Sequence, residues 1–175
     1  MLGLGNSICL NQYPSGGWTP AIISGLVGWY RFNTGLQKSG GAFPSDGDAI
    51  TQWDDASGQG NNATKSSNLA NYDATLKAPE FEGANDSLQV PQLELEEFAL
   101  YIRIRFTDST INNQDVLIND DDTTNNFWRI QNTNGIRIKI GGSAQVNYTF
   151  HSSTTLAADT YYILGLERET DGEVF

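Results

Sequence analysis

The second half of the chain alternates apolar and polar residues, the pattern of strands that bury one face. Over residues 98–106 every even position is apolar, and Arg103 and Arg105 fall on the opposite face. Five further runs of this kind occur, at residues 116–118, 126–130, 136–140, 146–150 and 161–166. The turn sequences at 132–135 and 141–143 favour antiparallel hairpins, because Asn-Gly and Gly-Gly reach positive φ at low cost. The pattern predicts an antiparallel β-sandwich.

The first half carries a weaker pattern. Residues 26–32 are rich in β-formers and predict a strand that ends at Asn33-Thr34-Gly35. A short strand is expected at 50–53, and two more near 79–81 and 87–90. Residues 54–75 are polar and predict a long irregular connection. No segment shows a helical period, so the fold class expected for the whole chain is all-β.

The first thirty residues contain no charged side chain, and the first charge is Arg31. Their glycines and prolines predict an extended N-terminal arm at residues 1–23, followed by one domain at 24–175. An uncharged segment resembles an interface core, which is depleted of charge. The arm is therefore predicted to dock on another protein, and the alternative is an ordinary unanchored terminus. The expected anchors of the arm are Leu2, Leu4, Ile8, Tyr13 and Trp18.

Charge and rare residues exclude several classes of function. The 175 residues include 21 acidic and 10 basic side chains, giving a net charge of −11. Nucleic-acid binding is therefore not expected, because phosphate contacts need a basic surface. One cysteine cannot form an intrachain disulfide, and one histidine, His151, cannot build a multi-histidine zinc site. No apolar run is long enough to cross a bilayer, so no membrane partner is expected.

A family resemblance rests on three segments taken together. They are Leu26-Val27-Gly28-Trp29-Tyr30, the W-D-D-A-S-G-Q-G-N-N-A segment at 53–63, and Pro79-Glu80-Phe81 with Gly83-Ala84-Asn85-Asp86-Ser87-Leu88. With the alternating strands, they resemble the laminin-G-like members of the concanavalin A-like lectin/glucanase superfamily. The version found in structural proteins of marine tailed bacteriophages is the most similar. The resemblance covers about residues 24–175 and implies a jelly-roll sandwich, a fold that carries many functions.

The C-terminal residues depart from that family. Residues 171–175 would begin a hairpin followed by several more strands, and the sequence stops within the expected strand. A sheet that ends on an unpaired apolar strand is prone to aggregate. The expectation is either that the sequence is a fragment or that neighbouring molecules complete the fold.

Two polar loops are candidate binding sites. The loop at 53–61 is predicted to be structural, with Asp55, Ser57 and Asn61 fixing turns and Trp53 anchoring the core; the alternative is a binding loop. Asp120, Asp121 and Asp122 form the densest group of carboxylates. Calcium binds such oxygen ligands, and laminin-G-like domains often carry calcium at a sandwich rim. The alternative for these residues is a solvated hairpin loop, and no cofactor is expected to be required.

The glycosidases of the superfamily place three catalytic acids on one strand, and the acidic run at 93–97 is the candidate for that strand here. Glu94 and Glu96 match two positions, and Ala99 stands where the third acid is needed. His151 lies in no sequence context that would orient it as a base. The chain is therefore expected not to be an enzyme.

Half of the ten basic residues lie on outward positions of the predicted strands. They are Arg103, Arg105, Arg129, Arg137 and Lys139. If those strands are neighbours, they form a basic stripe suited to an acidic partner; the alternative is cross-strand pairing with acids.

The leading hypothesis is a non-enzymatic phage virion protein, a jelly-roll module displayed as a head decoration or a fibre-like appendage. Its partners would be other virion proteins, of the capsid or an appendage, and further copies of itself. The alternative is an adhesin that binds host glycans.

Overall fold

Described parts of the chain are built almost entirely from antiparallel strands. The structure is a computed structural model, and it describes residues 20–82, 86–91, 97–107, 114–118, 127–132, 135–139, 146–149 and 155–169. Within these ranges there is no α-helix, and one 3-10 turn spans Pro20–Ile22. The all-β prediction is confirmed for these ranges. Their residues also include no helix long and apolar enough to cross a membrane.

The chain divides into two compact units, one ending at Pro91 and the other beginning at Gln92. The first unit contains five very short strands: β1 (Leu36–Gln37), β2 (Gln52–Trp53), β3 (Ala63–Thr64), β4 (Asn71–Asp73) and β5 (Ala78–Glu80). The order β1-β2-β3 makes one antiparallel sheet, and β4 pairs with β5. Leu36, Ile50 and Tyr72 form the core of this unit, with Trp53 and Leu88 packed against them.

Three sequence-based predictions for the first unit are wrong. No strand forms at 87–90, where only Gln89 makes an isolated bridge, to Thr64. Residues 26–32 do not form a strand, and only Tyr30 makes an isolated bridge, to Asp55. The reason is that side chains of a later loop bind the backbone here: Asp55 accepts the N–H of Trp29, and Asn61 donates to the carbonyl of Val27. The connection at 54–75 is not irregular throughout, since it contains β3 and β4.

The second unit contains six strands in the described ranges: β6 (Phe98–Arg105), β7 (Gln114–Ile118), β8 (Phe127–Asn132), β9 (Gly135–Lys139), β10 (Val146–Thr149) and β11 (Tyr161–Arg168). All six were predicted to within a few residues. One sheet has the order β10-β9-β8-β7, and β11 pairs with β6 over eight residues. β9 pairs antiparallel with both β8 and β10, in agreement with the antiparallel neighbours that the turn sequences predict.

The two sheets of the second unit pack face to face, the arrangement of a β-sandwich. Trp128 and Ile138 of the four-stranded sheet are buried against Leu166 of β11, with Leu100 and Ile102 of β6 beside them. A second cluster joins Phe106, Ile130 and Leu156. Because side chains alternate along a strand, burying these residues leaves the odd-numbered residues of β6 and β11 on the outer face.

Candidate functional site

The outer face of β6 and β11 carries the largest group of exposed apolar side chains on any one described sheet. Tyr101 is 63% exposed, Tyr161 44% and Ile163 76%. Single exposed apolar residues are ordinary on a protein surface, whereas three on one sheet face make that face a candidate interaction surface. We call the outward residues of this strand pair, from Ala99 to Arg105 and from Tyr161 to Glu167, the β6–β11 face.

Strand register sets the order of side chains on this face. Four cross-strand pairs follow one another, and they are Arg105–Tyr161, Arg103–Ile163, Tyr101–Gly165 and Ala99–Glu167. Successive pairs on one face are about 7 Å apart, because each residue advances the strand by about 3.4 Å. The face is therefore roughly 20 Å long and two strands wide.

Two arginines lie at one end of the β6–β11 face. The guanidinium of Arg103 lies 4.0 Å from the centre of the Tyr161 ring, a cation–π contact. Arg105 Nη2 lies 2.6 Å from Oδ1 of Asp159, a residue in the turn that precedes β11. Each arginine is thus held in place by a neighbour, and its position on the face is defined.

Tyr101 lies across the middle of the face, over a glycine. A Cβ added to Gly165 would lie 3.0 Å from Cε1 and 3.2 Å from Cδ1 of Tyr101, so the ring occupies the space that a side chain would need. The Tyr101 hydroxyl donates to a carboxylate oxygen of Glu167. This hydrogen bond, together with slight burial and the negative charge of Glu167, raises the pKa of Tyr101 above its ordinary value of 10.0.

Glutamates lie at the other end of the face. Glu167 is the last outward residue of β11, and Glu97 and Glu169 adjoin the paired ends Phe98 and Arg168. All three are exposed. The β6–β11 face is therefore polar at both ends with opposite signs, and apolar between them.

The predicted basic stripe is divided between the two sheets. Arg103 and Arg105 lie on β6, whereas Arg137 and Lys139 lie on β9, and β6 and β9 are not hydrogen-bonded neighbours. Arg129 on β8 stands directly opposite Arg137. Arg129, Arg137 and Lys139 each make an interaction within the chain. Because the sheets pack face to face, their outward residues point in opposite directions, and the five do not form one continuous stripe.

The loop at 53–61 is held by hydrogen bonds within the chain, in agreement with its predicted structural role. Oδ1 of Asp55 accepts the backbone N–H groups of Trp29 and Ser57, both at 2.8 Å. Its Oδ2 accepts the Ser57 hydroxyl at 2.6 Å and the Asn61 N–H at 3.1 Å. The carboxylate therefore has four donors from the chain itself and little capacity left for a ligand.

The electrostatics of Asp55 agree with that role. Partial burial acts to raise its pKa, and the hydrogen bonds from Ser57, Trp29 and Asn61 outweigh burial, so the pKa lies below its ordinary value. Burial and the charge of Asp55 raise the pKa of Tyr30 to about 12. Trp53 packs against the core of the first unit while remaining half-buried, and its indole N–H donates to the carbonyls of Arg31 and Thr34.

A shallow open pocket of about 470 Å³ lies beside β3. It is lined by Thr64, Lys65, Ser66, Ser67 and Gln89, and the ammonium of Lys65 donates to Ser87. Such an open polar lining cannot exclude water from a bound ligand. The pocket therefore lacks the desolvated interior that tight small-molecule sites normally have.

Several predicted site residues lie outside the described ranges. They are the calcium candidates Asp120, Asp121 and Asp122, the arm residues Leu2, Leu4, Ile8, Tyr13 and Trp18, and Glu94, Glu96 and His151, which the sequence does not favour as catalytic residues. Calcium at 120–122 stays a prediction. Among the residues that the structure does describe, no three His, Cys, Asp or Glu side chains are grouped as a metal site.

Tyr101, Tyr161 and Ile163 were not predicted as site residues, although the sequence carries a signal for them. Each occupies an outward position of an alternating strand, where a polar residue is the usual choice. Comparison with known proteins adds no candidate: no protein-family model, no curated protein and no solved structure matches this chain.

Proposed function

We propose that this chain is a non-enzymatic structural protein of a tailed-phage particle. In this proposal it is a jelly-roll module, displayed as a head decoration or a fibre-like appendage, that contacts neighbouring proteins through the β6–β11 face. The observation that carries the proposal is the exposure of Tyr101, Tyr161 and Ile163 together on one sheet face. The jelly-roll strand order and the phage assignment rest on the family resemblance of the sequence.

Burial of this face would provide the binding energy. An apolar side chain that becomes fully buried contributes about 1.5–3 kcal/mol. Ile163 at 76% and Tyr101 at 63% exposure have most of that contribution still to gain. Tyrosine is also enriched at interfaces, because its ring is large and loses little conformational entropy.

The arrangement of charged groups supports binding rather than catalysis. On the β6–β11 face, Arg105 is paired with Asp159, and Glu167 accepts the hydroxyl of Tyr101. In the loop at 53–61, Asp55 has four donors from its own chain. Each of these groups already has a partner within the chain, whereas a general acid or base must be able to reach a substrate proton.

The N-terminal arm at residues 1–23 is proposed as the anchor to the particle. Its last residues lie in the described part of the chain, where Ile22 is 67% exposed and Ile23 48%. Two adjacent exposed isoleucines continue the uncharged character of residues 1–19. Burying them against a partner protein would add apolar contact beside the 3-10 turn at Pro20–Ile22.

The test is to purify, on a density gradient, the particles made from the genome that encodes this chain. Quantitative mass spectrometry then compares the copy number of this chain with that of the major shell protein. We expect a fixed ratio that survives washing in high salt. A chain found only in the soluble fraction of the lysate would overturn the proposal.

Glycan binding is the second candidate, and the placement of Tyr101 favours it. Two ring atoms of Tyr101 lie against Gly165, and the side chain is 63% exposed, so the ring is accessible to a sugar. Against this, Arg103 lies over the ring of Tyr161. A glycan array tests this candidate: micromolar binding that is lost in Tyr101→Ala and kept in Phe32→Ala, a variant of an exposed aromatic residue in the first unit, would support the adhesin.

A further inference from the structure

We propose that the β6–β11 face binds the same face of a second copy of this chain, related by a two-fold axis. The inference rests on the proposed function, because it names the partner of the surface described there. It follows from three properties of the face: the order of its side chains, the sign of charge at each end, and the placement of its most exposed apolar residue.

The charges of the face are complementary to themselves when one copy is turned end for end. Arg103 and Arg105 lie at one end, which stays net positive although Asp159 pairs with Arg105, and Glu97, Glu167 and Glu169 lie at the other. A two-fold axis in the plane of the interface and perpendicular to the strands brings opposite ends together. Two-fold interfaces are self-complementary in this way, since each contact occurs twice.

The proposed position of the two-fold axis determines which residues meet. With the axis midway between the pairs Arg103–Ile163 and Tyr101–Gly165, the first pair of one copy faces the fourth pair of the other. Within one copy, the guanidinium of Arg103 lies over the ring of Tyr161. In the proposed dimer, Tyr161 of that copy faces Glu167 of the second copy. Arginine and carboxylate thus approach each other at both ends of the interface.

Shape follows the same symmetry. Ile163, the most exposed apolar side chain on the face, comes opposite Gly165 and Tyr101 of the second copy. Gly165 has no side chain, and Cε1 and Cδ1 of Tyr101 lie against it. The most exposed apolar side chain of one copy therefore meets a position without a side chain, beside an aromatic ring.

The expected dimer is weak in solution. The face is roughly 20 Å long and two strands, about 10 Å, wide, which gives on the order of 200 Å² per copy, whereas a standard interface buries about 800 Å² per partner. An interface of this size belongs with weak, transient contacts, so we expect a dissociation constant on the order of 100 µM or weaker. Net charges of −11 repel at long range, and physiological salt screens them beyond about 8 Å. On a particle the arm would hold copies close together, so weak contacts suffice.

A charge-exchange experiment tests the inference. Sedimentation equilibrium is run up to about 1 mM on the full chain, on Arg103→Glu, on Glu167→Arg, and on an equimolar mixture of the two variants. Each variant alone brings like charges together at both ends, and we expect its dissociation constant to rise at least tenfold. In the mixed dimer both contacts are again between opposite charges, so we expect recovery to within about threefold of the unmodified chain.

The mixture also controls for misfolding, because a variant that fails to fold cannot restore binding to its counterpart. Ile163→Asp should abolish association, whereas Phe32→Asp, in the first unit, should leave it unchanged. A chain that stays monomeric at 1 mM, or a mixture no tighter than its components, overturns the inference.

The failure of this inference is separable from failure of the proposed function. A chain that is present in purified particles and monomeric in solution removes the dimer and leaves the virion assignment standing. A chain that dimerises as described and is absent from particles removes the virion assignment and leaves the dimer. If the face binds a glycan in the array while the chain stays monomeric, the occupant is the glycan and the dimer is overturned.

Discussion

The carboxylate of Asp55 holds the backbone of Trp29, which lies 26 residues earlier in the chain, through an N–H···Oδ1 hydrogen bond of 2.8 Å. The same carboxylate accepts donors from Ser57 and Asn61 in its own loop. One side chain thus fixes both a local turn and a distant segment. This accounts for the placement of residues 26–29, which belong to no strand.

Asp55→Asn should destabilise the protein by about 2–4 kcal/mol. The asparagine amide has a donor NH₂ where the carboxylate has its second acceptor oxygen. The groups that donate to that oxygen in the unmodified protein therefore lose a charged acceptor, and each such bond is worth about 1.5–3 kcal/mol. Urea unfolding followed by tryptophan fluorescence measures the change. Asp46→Asn is the matched control, because Asp46 accepts one N–H, from Ala74, at an exposed position and should cost under about 1 kcal/mol. Equal losses in the two variants would contradict the role of Asp55.

Stability should fall on acidification, and part of that fall should depend on Asp55. The pKa of Asp55 is lower in the folded protein than the ordinary carboxyl value. Its contribution is therefore complete above the unfolded pKa, near 3.9, and is lost as the pH falls through the folded pKa. Urea midpoints measured from pH 6 to pH 2.5 should show a shallower dependence for Asp55→Asn. Parallel curves for the two proteins would show that other carboxyls account for the acid limb.

Gly35→Ala should cost about 2–4 kcal/mol, and Gly47→Ala only about 1 kcal/mol. Both glycines have positive φ, 71° and 76°, so each substitution carries the strain of the left-handed region. At Gly35 a Cβ would also lie 2.9 Å from Cβ of Asp54, whereas nothing lies within 4 Å at Gly47. The difference in unfolding free energy between the variants isolates the steric part. Equal costs would mean that the β1–β2 region moves to make room.

The strands of the second unit could be predicted because their period of two is set by one buried face. Ile102 and Ile104 point inward and Arg103 outward, and no distant information is needed to see this. The segment at 26–32 shows the limit of that reasoning. Its β-formers indicated a strand, and side chains from residues 55–61 bind its backbone instead.

The two candidate sites differ in the same way. Hydrogen bonds from short polar side chains to nearby backbone can be predicted from sequence, because both partners are close in the chain. The structural role of Asp55 and Ser57 could therefore be predicted. The β6–β11 face depends on which strands pair and in which register. That Tyr101 lies over Gly165, and that Arg103 and Arg137 belong to different sheets, follows only from pairing between residues far apart in the chain.

Deleting residues 1–23 should reduce incorporation of the chain into particles at least tenfold, if the uncharged arm is the anchor. The described strands all begin after residue 35, so the truncated chain should keep its strand content and its unfolding midpoint. Complementation of a particle lacking this protein, followed by mass spectrometry, measures incorporation. Replacing the arm with a Gly-Ser segment of equal length controls for spacing. Full occupancy by either variant would place the anchor elsewhere.

Glu167→Gln should lower the pKa of Tyr101 toward the ordinary value of 10.0. The pKa of Tyr101 is raised chiefly because its hydroxyl donates to the Glu167 carboxylate, which favours the protonated phenol. The neutral amide is a weaker acceptor and carries no charge to oppose ionisation. Carbon-13 labelling of tyrosine and a pH titration of the Cζ resonance, assigned with Tyr101→Phe, measure this pKa directly. Asp159→Asn, at the opposite end of the face beside Arg105, should leave the titration of Tyr101 unchanged. If Tyr101 titrates identically in Glu167→Gln and in the unmodified chain, its hydroxyl does not bond to Glu167 in solution. A partner could then bind the Glu167 carboxylate without breaking a hydrogen bond to Tyr101.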